Sequence, residues 1–140
     1  MHNHIIDNIP VGRIAPSKIH GYGLFAINDI AQGTVLAKLD GQKIAWDLYQ
    51  SGRALNSMAQ HIMFDEWNAL SPTLLLVRPY RTKYSFINHS RTQNCKAHAM
   101  DGVVIVQSLC HIASGDELTL DYRMEPLPDE YLAGHGATYL

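Results

Sequence analysis

The chain has 140 residues, the length of one ordinary domain with a single modest core. Hydrophobic residues make up 46%, usual for a globular protein, and a net charge of −2 gives no overall basic field, which argues against a direct nucleic-acid partner. Two cysteines make no disulfide framework, and the longest aliphatic runs, Leu74–Val77 and Val103–Val106, are far too short to cross a bilayer, so no membrane role is expected.

Residues 1–10 carry little pattern and read as an N-terminal tail without the apolar stretch of a signal peptide, so a cytoplasmic location is expected, with nuclear action left open. Residues 11–125 read as one domain. Val11–Ile14 is its first strand. His20-Gly21-Tyr22-Gly23 then leads into a second, Leu24–Ile27, and turns at Asn28-Asp29 and Gln32-Gly33 precede a third, Thr34–Leu39. Apolar Ile44, Leu48, Leu55 and Met58 recur at spacings of four, seven and three, which predicts a helical insert over about 43–62. Ser71-Pro72 breaks the chain before a strand at Thr73–Val77. Asp101-Gly102 makes a tight turn before the continuous apolar run Val103–Val106, a buried strand. Ala113–Asp116 is a further turn, and Leu118–Tyr122 is the last strand. Many short strands around one helical insert predict a mainly β fold of several small sheets. Residues 126–140 read as a C-terminal tail, free to close over a site.

Charge is unevenly placed. Arg78 to Met100 holds Arg78, Arg81, Lys83, Arg91 and Lys96 and no acid, whereas Asp101 to Leu140 holds seven acids and one base, Arg123. An acidic C-terminal third suits a basic peptide partner, and it equally suits a solvated acidic face.

Three motifs carry chemistry. In Phe86-Ile87-Asn88-His89-Ser90 the polarity flips from apolar to a carboxamide with donor and acceptor and a ring with two distinct nitrogens, a pair able to read a purine edge or to satisfy a loop locally. In Gly115–Tyr122 a turn leads into a strand ending in Asp121-Tyr122. A tyrosine hydroxyl beside a reacting amine can orient it or relay a proton, and a core tyrosine explains the same residue. Gly21-Tyr22-Gly23 lets the backbone approach a ligand closely, or simply turns. Cys95-x-x-His98 and Cys110-His111 offer four groups with metal-ligand chemistry, but buried thiols and incidental histidines account for them, and no metal is expected.

Taken in order, Gly-x-Gly-Leu-Phe-Ala, Phe-Ile-Asn-His-Ser-x-x-x-Asn and Ile-x-x-Gly-Asp-Glu-Leu-Thr-x-Asp-Tyr resemble the SET-domain family of protein lysine N-methyltransferases over about Val11 to Arg123. The resemblance implies a β-clip of small sheets closed by a C-terminal pseudoknot. It implies S-adenosylmethionine as methyl donor, S-adenosylhomocysteine as product, and a lysine of a protein, a histone among the options, as acceptor. Carried over by position, His20, Gly21, Tyr22, Asn88, His89 and Tyr122 hold the cofactor, and Tyr122 is also the catalytic tyrosine. Leu120, Tyr84 and Tyr131 line the substrate channel, and Ser90 and Asn94 build the intervening loop. Leu120 stands where relatives often place Phe or Tyr, which points to more than one methyl per lysine.

The chain departs from the family pattern at Ser85, Arg91 and Gln93, where Arg, Cys and Pro are usual, and at Lys38–Gln42. It has no zinc-binding cysteine cluster after Tyr122, so it reads as a minimal domain. Closure of the channel then falls to the tail with Tyr131 and Tyr139 or to a second copy in a homodimer. A catalytically weak SET-fold module that binds a peptide or partner is the alternative.

Overall fold

A computed structural model describes residues 5–55, 66–138 and 140. The elements run β1 (Gly12–Pro16), β2 (Tyr22–Ala26), β3 (Val35–Leu39), β4 (Gln42–Ala45), α1 (Trp46–Leu55), β5 (Glu66–Ser71), β6 (Leu74–Arg78), β7 (Asn88–His89), β8 (Cys95–Met100), β9 (Val103–Ser108), β10 (Glu117–Leu120) and α2 (Asp129–Ala133). Short 3₁₀ turns lie at Lys83–Phe86, Tyr122–Met124 and His135–Thr138. The protein is mainly β, as its turn-punctuated apolar runs predict.

Seven strands form one curled sheet in the order β1-β2-β10-β8-β9-β3, with β7 also paired to β10. Strands β8 and β9 form a hairpin whose two turn residues, Asp101 and Gly102, both have positive φ, 52° and 80°. This is the turn conformation whose twist matches the flanking strands. Strand β10 is the hinge of the topology. It runs antiparallel to β2 and parallel to both β7 and β8, so both ends of the 88–95 segment pair with it. These are the contacts of the expected C-terminal pseudoknot.

The second sheet, β4-β6-β5, has three strands. Its centre, β6, is a continuous apolar run because both its faces are covered. Leu76 faces the main core with Leu24, Leu39, Ile87, Val106 and Leu118, while Leu75 and Val77 face a second cluster with Trp46, Tyr49 and Leu127.

Several elements differ from their sequence expectation. Ile44 belongs to β4, not to the helix, because Gln42–Ala45 pairs with Leu74–Val77. The helix begins at Trp46, and it buries Trp46 and Tyr49 while Leu48 stays 67% exposed. Strand pairing thus overrides the helical spacing, and the buried stripe is aromatic. Met58 and Tyr139 lie outside the described residues. Strands β5 and β8 were not expected. Polar Glu66 and Asn68 interrupt β5, and CKAHAM in β8 lacks a clean alternation. The last strand ends at Leu120, so Tyr122 opens a 3₁₀ turn. The segment read as an unpatterned tail contains α2.

Candidate active site

Asn88 is the hub of the site. The parallel pairing of Asn88 with Thr119 on β10 sets its side chain toward the loop between β1 and β2. Its Nδ2 lies 3.2 Å from the carbonyl oxygens of His20 and Tyr22, 3.2 Å from Ser17 Oγ and 2.8 Å from Glu117 Oε2. Ser17 Oγ in turn donates to the Glu117 carboxylate at 2.8 and 2.9 Å. One carboxamide thus gathers a carboxylate, a hydroxyl and two backbone carbonyls. Gly23 permits it, since a Cβ there would sit 2.3 Å from Glu117 Oε2. Gly21, at φ +44°, has open space where a Cβ would point, so the loop presents bare backbone beside the hub.

His89 and Tyr122 form the adjoining wall, their rings 5.2 Å apart. The Tyr122 N–H donates to His89 Nδ1 at 3.1 Å, which requires that nitrogen to be unprotonated. Burial lowers the pKa of His89 below its usual value, against the pull of Asp121. The Tyr122 hydroxyl donates to the Ile87 carbonyl, so the ring is fixed at both ends. Asp121 caps the 3₁₀ turn by accepting from Arg123 N–H at 3.0 Å, and the Arg123 guanidinium holds its carboxyl below the ordinary range.

The loop between His89 and Cys95 is clamped to β10. Asn94 Nδ2 donates to the Glu117 carbonyl at 2.8 Å, Thr119 N–H donates to Asn94 Oδ1 at 2.9 Å, and Asn94 N–H donates to Thr119 Oγ1 at 3.2 Å. Ser90 N–H donates to the Leu120 carbonyl, and Ser90 Oγ accepts from Thr92 N–H in a local turn.

Below Tyr122 lies a polar layer. Tyr84, buried on the 3₁₀ turn capped by Thr82, has its hydroxyl 3.5 Å from each Glu125 carboxylate oxygen. Asn68 Nδ2 reaches Glu125 Oε1 at 3.5 Å. Burial pushes the Glu125 carboxyl up to about 7, and burial followed by the charge of Glu125 raises the Tyr84 phenol. Behind them is a buried ion pair between cross-strand partners, Arg78 Nε to Glu66 Oε2 at 2.7 Å. Arg78 also donates to Asn68 Oδ1 and to the Asp40 carbonyl, and Glu66 accepts from Thr82 N–H, Thr82 Oγ1 and Ser85 Oγ.

The structure therefore brings His20, Gly21, Tyr22 and Asn88 together, joins His89 to Tyr122, and places Tyr84 in the adjoining layer. Leu120 lies buried in the main core, and Tyr131 stacks edge-on to Trp67 in the second cluster. Ser17, Glu117, Asn68 and Glu125 were not singled out from sequence. Glu117 sat inside a recognised motif, but Ser17 meets it across 100 residues, and only the β2–β10 pairing joins them. Among the described residues no three His, Cys, Asp or Glu side chains converge as a metal site. Cys95 is buried, which pushes its thiol up to about 12, while Cys110 is exposed.

A family model described as the SET domain matches residues 21–123. The chain is 28% identical over 130 residues to the Caenorhabditis elegans protein named histone-lysine N-methyltransferase set-2, covering 84% of this chain and 8% of that one. It is 29% identical over 124 residues to an Aspergillus fumigatus histone-lysine N-methyltransferase, H3 lysine-4 specific, covering 81% of this chain and 9% of that one. It is 30% identical over 125 residues to Drosophila virilis histone-lysine N-methyltransferase trithorax, covering 81% of this chain and 3% of that one. The chain spans less than a tenth of the length of these curated relatives.

Proposed function

The chain belongs to the SET domain family, and from that we propose that it transfers a methyl group from S-adenosylmethionine to a lysine side chain of a protein. The observation that carries this reading is the Asn88 hub, with His89 and Tyr122 beside it. The Glu117 carboxylate, Ser17 hydroxyl and carbonyls of His20 and Tyr22 make an acceptor-rich cradle. That chemistry fits the ammonium end of an amino-acid ligand, and the bare backbone at Gly21 leaves room for it. His20, Gly21, Tyr22, Asn88 and His89 would hold the cofactor there. When bound, its sulfonium supplies an already activated methyl group, so the chain need only align a neutral amine with it.

Tyr122 is fixed through its backbone to His89 and through its hydroxyl to Ile87, so its oxygen is a rigid marker for the transfer site. The acceptor we propose is a lysine in a basic peptide such as a histone tail, since seven acids against one base in Asp101–Leu140 attract positive charge. The relatives named above carry histone-lysine methyltransferase names, which agrees with this choice.

Two measurements test the proposal. A ligand that binds only the folded state raises the melting temperature, so S-adenosylhomocysteine is expected to do so. Labelled S-adenosylmethionine with purified core histones is expected to give labelled lysine in the product. A thermal shift without transfer to histones or to a cell lysate would favour the binding-module reading, and no shift would remove the cofactor from the account.

A further inference from the structure

Glu117 is a carboxylate that the fold places where two walls of the site meet. Its residue pairs with Phe25 across β2 and β10, and its side chain lies over Gly23, where a Cβ would collide with it. Oε2 accepts from Asn88 Nδ2 at 2.8 Å, and the two oxygens share the Ser17 hydroxyl at 2.8 and 2.9 Å. Ser17 Oγ in turn accepts from the Ile19 N–H at 2.9 Å and the His20 N–H at 3.4 Å. The Ser17 N–H donates to the Gly21 carbonyl at 2.8 Å. One carboxylate thus ties the loop between β1 and β2 to the Asn88 segment.

The protons of this cluster do not cover its acceptors. Asn88 Nδ2 carries two protons, yet Glu117 Oε2, Ser17 Oγ and the His20 and Tyr22 carbonyls all lie within 3.2 Å of it. Ser17 gives its one hydroxyl proton to Glu117. The same crowd of acceptors fixes the carboxamide. Turned over, Oδ1 would face a carboxylate and two carbonyls, so Nδ2 faces them and Oδ1 is turned away. The negative charge is uncompensated as well. Among the described residues no Lys, Arg or His reaches ion-pair distance of Glu117, and Lys18 and His20 on the adjoining loop are exposed. A half-buried carboxylate with surplus acceptors around it suits a cation that carries several N–H groups.

We infer that Glu117 makes the cradle selective for a charged amine, as the counter-ion of the ammonium on the amino-acid end of the cofactor. This role rests on the cofactor reading of the site. Carbonyls, a hydroxyl and a carboxamide oxygen accept from any N–H or O–H group, so alone they tell a polar ligand end from an apolar one. A fixed negative charge among them tells an ammonium from a neutral donor. An ammonium brings three N–H donors and one positive charge, which answers both deficits of the cluster. Hydrogen bonds to an ionised partner are also the stronger kind. Glu117 is therefore the specificity-determining residue. Ser17 is a positioning residue, because it holds the loop onto that carboxylate and adds no charge.

A binding cycle on the full chain, measured by isothermal titration calorimetry, tests this. The ligands are S-adenosylhomocysteine and an analogue with hydrogen in place of its α-amine. The proteins are wild type, Glu117→Gln and Ser17→Ala, each checked for folding by thermal melting. Wild type should bind S-adenosylhomocysteine roughly 10-fold to 100-fold tighter than the analogue. Glu117→Gln keeps the side chain's size and loses its charge. It should bind S-adenosylhomocysteine at least roughly tenfold weaker than wild type does and the analogue no worse, so most of the preference disappears. Ser17→Ala keeps the charge and loosens the loop, so it should weaken both ligands and keep the preference.

Equal affinity of wild type for the two ligands overturns the inference, and this arm stands even where Glu117→Gln does not fold. A Glu117→Gln protein that weakens both ligands by the same factor also overturns it, since the residue then braces the loop without reading charge. So does one that keeps the wild-type preference. Loss of the preference in Ser17→Ala, with Glu117 still present, assigns selectivity to the hydroxyl and overturns it too. The two levels of failure are told apart by wild type alone. Binding of both ligands without preference leaves the cofactor reading standing, whereas binding of neither removes the cofactor from the site and the role of Glu117 with it.

Discussion

Tyr122 donates twice, from its backbone to His89 Nδ1 and from its hydroxyl to the Ile87 carbonyl, so the ring has little freedom. Tyr122→Phe keeps the backbone bond to His89 and the aromatic ring and loses the hydroxyl bond to the Ile87 carbonyl. It should cost about 1 kcal/mol of stability, leave S-adenosylhomocysteine binding intact and slow methyl transfer at least roughly 100-fold. Calorimetry and labelled-donor kinetics check this, and an unimpaired rate removes the hydroxyl from the mechanism. Glu125 makes a second, purely thermodynamic prediction. Its carboxyl titrates near 4.5 in the unfolded chain and at about 7 in the folded one. The folded state therefore holds the extra proton between those values, so this contribution is full below the lower value and is lost as pH rises through about 7. The shift is worth at most on the order of 3 kcal/mol. His89 slopes the other way, because the fold resists a proton that the unfolded ring takes up below about 6.5. Urea unfolding of wild type and Glu125→Gln in parallel separates the two, since both carry His89. Wild-type minus variant stability should fall as pH rises across the Glu125 window, and a flat difference contradicts the burial argument. Asn88, His89 and Tyr122 were legible in the sequence because their chemistry sits in contiguous motifs. Glu125 and Asn68 were not, since their meaning comes from a meeting of residues 57 apart that only the folded chain produces.

At the scale of elements, β10 is a four-residue strand held as much by side chains as by its ladder. Asn94 supplies the clamp, using its carboxamide at both ends and its backbone N–H on Thr119 Oγ1. Asn94→Ala leaves the Glu117 carbonyl and the Thr119 N–H without that partner, at a cost of about 2–3 kcal/mol. Denaturant unfolding measures the loss, and a change below about 0.5 kcal/mol means that β10 is held by its ladder alone. The second sheet is braced by the Glu66–Arg78 pair. Arg78→Met leaves Glu66 buried with hydroxyl and backbone donors but no cation, which should cost about 3–5 kcal/mol, and adding Glu66→Gln should restore part of it. A double variant as unstable as the single one excludes the uncompensated charge as the cause. The same residues explain which strands could be read from sequence. Val103–Val106 and the Asp101-Gly102 turn announce themselves through apolar continuity and left-handed turn chemistry. In β5 the inward positions include Glu66 and Asn68, both buried, so a strand with an ion-paired face shows no hydrophobic alternation.

Across the whole molecule, the two apolar clusters meet at β6, and the chain beyond β10 packs onto the second of them. Leu127 is buried there, Tyr131 packs edge-on to Trp67 with ring centroids 5.2 Å apart, and Trp46 Nε1 reaches Glu130 Oε2 at 3.4 Å. Arg91, a departure from the family pattern, donates to the Leu140 carbonyl at 2.7 Å, which ties the same segment back to the loop after His89. Trp67 is the common contact, with Trp46 at 6.0 Å, Tyr49 at 6.4 Å and Tyr131 on one ring system. Helix α2 has five residues, and its N-cap Pro128 makes no side-chain capping bond. Helices so short have no stability of their own in water, so α2 exists through this packing. Trp67→Ala should cost about 3 kcal/mol overall. Its distinctive effect should be local. The Leu132 and Gly134 amides, bonded to the carbonyls of Pro128 and Glu130, should exchange with solvent hydrogen at nearly the rate of a free chain. The Val104 and Val106 amides, deep in the main core, should keep their protection. Exchange at α2 that stays slow in this variant would show that the segment is held by its other contacts, such as buried Leu127 and the Arg91 bond to the Leu140 carbonyl, and not by the Trp67 ring.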